Sequence, residues 1–125
     1  MNKDEIILLY GFKNNENTEK ILSVLKAVHI KVKILNEGDY NEKVGYLLGL
    51  KGFNKSTDNI ENTIQNELMI FQNIKGKRLD FVLDKLKENK CIIPKFKSVA
   101  TPFNIHWSLK LLYETMKKEH SALNS

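Results

Sequence analysis

The chain has 125 residues, 42% of them hydrophobic, and a formal charge of +5, enough for one modest core and so for a single domain over residues 1–125. Its longest apolar run, Ile6–Tyr10, falls far short of the roughly 20 residues a membrane helix needs; residues 1–5 are not a charged leader before an apolar stretch, so a cytoplasmic protein without membrane contact is expected. The single cysteine, Cys91, excludes an internal disulfide and a cysteine-cluster metal site, and its neighbours Ile92 and Ile93 favour a buried bystander.

In chain order, residues 6–10 read as a strand buried on both faces. Beyond the turn at Gly11, Ile21, Leu22, Leu25 and Val28 recur at helical spacing, and His29 ends that helix. Residues 30–34 alternate Ile-Lys-Val-Lys-Ile, the pattern of an edge strand whose outward lysines discourage sheet pairing between molecules. A weak helix follows over 41–48 with Gly49 as its C-cap. Residues 51–66 are polar and rich in Asn and Thr, a surface loop with one helical turn expected around Ile60 and Ile64.

The pattern then returns. Residues 68–71 form a second apolar strand, and Leu79, Val82, Leu83 and Leu86 a second amphipathic helix. Residues 94–99 form a second alternating edge strand begun by Pro94. A long helix is expected from about 102 to 119, with Thr101 as N-cap and Pro102 at its first position, or with Asn104 as the cap of a later start. A shift of 61 positions sets Leu9 on Ile70, Tyr10 on Phe71, Ile21 on Val82, Leu22 on Leu83 and Leu25 on Leu86, which reads as an internal duplication of a βαβα unit, 5–50 and 67–120, joined by the loop 51–66.

The fold class is therefore α/β, an α+β sandwich on a four-stranded sheet. A ferredoxin-like sheet, with the first strands of the two units antiparallel at its centre, is preferred. A small doubly wound parallel sheet is the alternative, and it alone would open every strand-to-helix turn on one crevice.

Candidate binding residues cluster before and on the last helix. Ile105, Leu109, Leu112 and Met116 share a core stripe, which leaves Trp107 and Leu111 on the far side; Phe81 is similarly out of place on its own helix. Either the last helix is covered on both sides by its own chain, or these residues form an interface. Thr101 and Asn104 leave backbone N–H groups free as an anion site, with capping as the plainer explanation. His106, beside Trp107, is the histidine to test, though no nucleophile or triad partner accompanies it. His29 and His120 sit in other elements, and no spacing suits a metal or a cofactor.

The strand before Gly76, the run from Phe96 through Lys97, Ser98, Val99 and Ala100 to Thr101 leading to Asn104 and Trp107, and the closing Leu112, Glu114, Glu119 and His120 resemble an uncharacterised family of small proteins from low-GC anaerobic bacteria, a conserved domain of unknown function. That family places Thr, Asn and Trp at the positions of Thr101, Asn104 and Trp107. The resemblance implies a stand-alone cytoplasmic domain with no catalytic residue to carry over.

Three function classes follow. A non-catalytic binding or regulatory domain, acting through a protein partner or as a homodimer, best suits the misplaced apolar residues. Nucleic-acid or phosphate-ligand binding would use Lys75, Lys77, Arg78, Lys95 and Lys97 of the basic second half. An enzyme with its site at 101–107 has the least in its favour.

Overall fold

The structure is a computed structural model describing residues 4–124, with side chains through His120; Met1, Asn2 and Lys3, the start of the segment judged not to be a leader, lie outside the described residues. Four strands, β1 (Ile6–Tyr10), β2 (Lys31–Ile34), β3 (Leu68–Gln72) and β4 (Phe96–Val99), alternate with helices α1 (Glu16–Ala27), α2 (Val44–Leu47), α3 (Gly76–Glu88) and α4 (Leu109–Asn124). Short 3-10 turns over Glu37–Asn41 and Asn104–His106 precede α2 and α4. The sheet order is β2-β1-β3-β4. Both outer pairs are parallel and the central pair is antiparallel, with Leu8 opposite Ile70.

The antiparallel centre rules out the doubly wound alternative. The ferredoxin-like expectation keeps only that central pair, because β2 lies directly against β1, and β4 against β3, whereas a split βαβ places another strand between them. The lysine-bearing strands are the edges: Lys31, Lys33 and Lys97 are exposed, as is Lys95 just ahead of β4, with Lys33 Nζ donating to Leu47 O at 2.9 Å.

Alternation along the central strands divides the core in two. Ile7, Leu9, Met69 and Phe71 face α1 and α3, where Ile21, Leu25, Val82 and Leu86 close over them. Leu8, Tyr10, Leu68 and Ile70 face the other way, under Val44, Leu47, Leu109, Leu112 and Tyr113. Fully burying one such aliphatic side chain is worth about 1.5–3 kcal/mol.

Helix ends follow local chemistry. Asn15 caps α1 by accepting the Thr18 N–H at 2.9 Å, with Glu16 and Glu19 favourably placed in the first turn. Past the last turn His29 takes a left-handed φ of 62° and Ile30 N–H donates to Leu25 O; 61 positions later Lys90, at φ 60°, and Cys91 N–H to Leu86 O repeat both features. Cys91 is buried there, and burial pushes its thiol up, with nearby Lys20 opposing only in part. The loop 51–66 forms no helical turn. It is strapped over the second layer by Tyr40 OH to Ile60 O (2.8 Å), Asn62 Nδ2 to Tyr10 OH (3.1 Å), Thr63 Oγ1 to Glu114 Oε2 (3.1 Å) and Tyr113 OH to Asn66 Oδ1 (2.8 Å).

Arg78, the chain's single arginine, is committed inside this framework. Its Nε and Nη2 donate to Glu5 Oε2 and Oε1 at 2.9 and 3.0 Å, and Nη2 also reaches Val28 O at 3.0 Å, tying α3 to the start of β1 and the end of α1. The Glu5 carboxylate is 4% exposed, so losing its partner strands a buried charge. Arg78→Ala is expected to lower unfolding stability by about 2 kcal/mol, the range for a broken buried pair reduced because the guanidinium itself is partly in solvent. Urea denaturation measures it; an unchanged midpoint would show the pair to be incidental.

A lysine-lined cleft where the two units meet

The segment expected to begin the last helix does something else. Thr101 and Asn104 cap each other: Asn104 Oδ1 accepts the Thr101 N–H at 2.8 Å, Thr101 Oγ1 accepts the Asn104 and Phe103 N–H groups at 3.0 and 3.2 Å, and Asn104 Nδ2 donates to Val99 O at 3.0 Å. Asn104 is buried and fully used. These N–H groups are therefore occupied within the turn and not free, as an anion site there would need. The turn has a counterpart after β2, where Asn36 and Asp39 make the same reciprocal caps.

Trp107 follows in an extended conformation, at φ −90° and ψ 150°. The helix begins only at Leu109, with Ser108 Oγ accepting the Leu111 N–H at 3.0 Å as the actual cap. A start at 102 is thus corrected. Extension is imposed by a pairing invisible to local propensity: Lys43 and Ser108 form an isolated antiparallel bridge, with Val44 N–H donating to Trp107 O and Leu109 N–H donating to Glu42 O, both at 2.9 Å. The first N–H of each helix, which normally lacks a partner, is satisfied by the other unit.

The candidate residues are consequently dispersed. Trp107, not part of the helix, is half-buried, with part of its side chain packed against the second core layer. Leu111 on α4 is 46% exposed. Phe81 lies on α3, on the opposite side of the sheet from both, where the Arg78 guanidinium and the Lys85 ammonium lie 5.5 and 5.6 Å from its ring centroid. Of the lysine set, Lys97 Nζ donates to Pro94 O and Lys95 sits over the Phe96 ring.

His106 has found company. Its ring packs on Phe53, centroids 5.2 Å apart and tilted by 38°. Phe53 in turn occupies the space above Gly45, whose backbone is buried in α2; a methyl group there would stand 2.7 Å from Phe53 Cε1 and closer still to the ring tip. The two rings flank a cleft of about 500 Å³ whose walls include Lys43, Lys51, Lys55 and Asp58. Glu42, buried, holds the far wall by accepting the Ser56 N–H at 2.7 Å, and Asn41 Nδ2 donates to Asp58 O. Apart from His106, these residues escaped the sequence reading. Gly45 inside an apolar helix was the one available signal, since a glycine there costs stability unless something packs on it.

Chemically the cleft offers concentrated positive charge and a flat aromatic flank. His106 is paired with the Phe53 ring, so its imidazole adds to that aromatic flank. Gly45→Ala is expected to expel the Phe53 ring and remove its ring-current effect on the His106 imidazole protons, read by NMR. The stability cost should be about 1 kcal/mol, the low end for overpacking, because the displaced atoms are the tip of a side chain. A His106 spectrum unmoved by the substitution would contradict the stack.

No helix among the described residues is long and apolar enough to cross a membrane. No curated protein and no solved structure gives a match to the chain. Residues 67–123, which span β3, α3, β4 and most of α4, match the model of a family described as a domain of unknown function (DUF3783).

Proposed function

We propose that the protein is a non-catalytic binding domain and that the cleft between its units receives an anionic group. The observation that carries this reading is the convergence of Lys43, Lys51, Lys55 and His106 on one cavity in which Asp58 is the only acidic wall residue. The salt bridges among the described residues, Lys20 to Glu16, Arg78 to Glu5 and Lys85 to Glu88, use none of these lysines. Three lysines against the one acidic wall residue, Asp58, leave a net positive lining that raises the local potential, and an entering anion relieves it.

Protein contact is the second reading, favoured by Phe103, 77% exposed at the tip of the 101–104 turn, and by Leu111 on the outer face of α4. We also read the two units as copies of one duplicated segment, supported by the repeated helix ends, the paired caps at Asn36 with Asp39 and Thr101 with Asn104, and the reciprocal bridge. A cytoplasmic setting accords with the buried, unpaired Cys91.

Titration with inorganic phosphate and pyrophosphate, followed by amide NMR at low salt, tests the proposal. Shifts are expected at Phe53, Ser56 and His106, with affinity falling about tenfold in Lys51→Ala/Lys55→Ala and declining steeply with added salt. Absence of any shift at tens of millimolar, together with concentration-dependent self-association in light scattering, would favour the second reading instead.

A further inference from the structure

A second cleft, of about 550 Å³, opens where β1 ends, beside the turn that leads into α1, and Glu67 is on its wall. Its meaning comes from comparison with the other end of the central pair. Glu5 immediately precedes β1 and Glu67 immediately precedes β3. In the antiparallel register Glu5 lies opposite Asn73 and Glu67 opposite Gly11, both of which take left-handed backbones, at φ 58° and 82°. The two carboxylates thus occupy equivalent positions at opposite ends of the sheet.

Their partners differ. Glu5 receives the Arg78 guanidinium through two hydrogen bonds from the first turn of α3. The central strands repeat at 62 positions and the core residues of the helices after them at 61, and the residue 61 positions before Arg78, in the first turn of α1, is Asn17, whose amide is committed to the backbone N–H and C=O of Ile92. Glu67 therefore faces the cleft half-buried and without a salt bridge. Burial lifts its carboxyl above the usual carboxylate range, with no cation opposing. Gly11 is on the same wall, close against the backbone of its neighbour: a Cβ there would stand 3.3 Å from Asn66 O and 3.5 Å from Glu67 Cα. Glu37 shares the wall and Lys13 is its one cation, so the lining carries a net negative charge.

We propose that this cleft is a receptor for a guanidinium group, with Glu67 as the accepting carboxylate, an external ligand supplying what Arg78 supplies internally at Glu5. A planar five-donor fork matches a carboxylate bidentately, which a simple ammonium does not. The guanidinium could be that of a small guanidino compound or of an arginine side chain on a polypeptide.

Amide NMR titration with ethylguanidine, with ethylamine as control, tests this on the whole chain. Ethylguanidine is expected to shift Gly11 and Glu67, to bind at least tenfold more weakly to Glu67→Gln, and to bind more tightly to Lys13→Ala, a gain that a loss of folding cannot imitate. Lys51→Ala, in the other cleft, should leave the affinity unchanged. A Gly-Arg-Gly peptide that binds tenfold or more tightly than ethylguanidine assigns the natural source to a polypeptide; equal affinity assigns it to a small compound. No shift with ethylguanidine up to 50 mM (about the limit of weak site binding), equal binding of ethylamine, or an affinity untouched by Glu67→Gln overturns the proposal.

Discussion

The antiparallel pairing of β1 with β3 is the constraint on which the rest of the molecule depends. Each strand belongs to a parallel pair bridged by its own helix, and setting the two pairs head to tail sends their carboxyl ends to opposite ends of the sheet. A sheet whose strands all run one way gathers its strand-to-helix turns into one crevice at its carboxyl edge. Here that crevice is divided in two, one half filled by the chain's own Arg78 and the other left open at Glu67. The same arrangement brings the segments after β2 and β4 together on one face, where Lys43 and Ser108 pair and the lysine-lined cleft forms. Both clefts are consequences of how the units join, and neither belongs to one unit's sequence alone.

Much of the framework was legible because it rests on local signals. The runs at 6–10 and 68–71 became central strands because burial on both faces demands uninterrupted apolar residues, and the Lys-alternating segments became edges because only edges tolerate such charge. The first helices came out of spacing and capping. The order of strands did not, since periodicity reports which face a residue takes and is silent on which neighbour it meets. Only the register of Leu8 against Ile70 decides between parallel and antiparallel centres.

The last helix shows where local reasoning misleads. Thr101-Pro102 is good chemistry for a helix start, and the apolar spacing from Ile105 onwards continues it, yet the Thr101–Asn104 caps close a separate turn and the bridge to Lys43 holds Trp107 and Ser108 extended. A non-local ladder overrode a favourable cap. Thr101 and Asn104 close the turn and Trp107 O accepts the Val44 N–H, so all three are parts of the joint that brings 42–44 and 107–109 together. His106 alone of that group reaches a cleft. Its neighbours Phe53, Lys51 and Lys55 come from a polar loop whose course is set by hydrogen bonds to Tyr40, Glu42 and Tyr113, contacts that no pattern within the loop announces.

The joint is also the most direct point at which to test the account. Val44 and Leu109 are first residues of their helices, where amides ordinarily have no partner and exchange freely; here each donates across the junction. Native-state hydrogen exchange resolved by residue should find both amides protected to a similar degree and opening together with the central strands β1 and β3. Exchange of Val44 and Leu109 at the rate of unstructured chain, while β1 and β3 remain protected, would contradict the reciprocal bridge and the joined-unit architecture built on it.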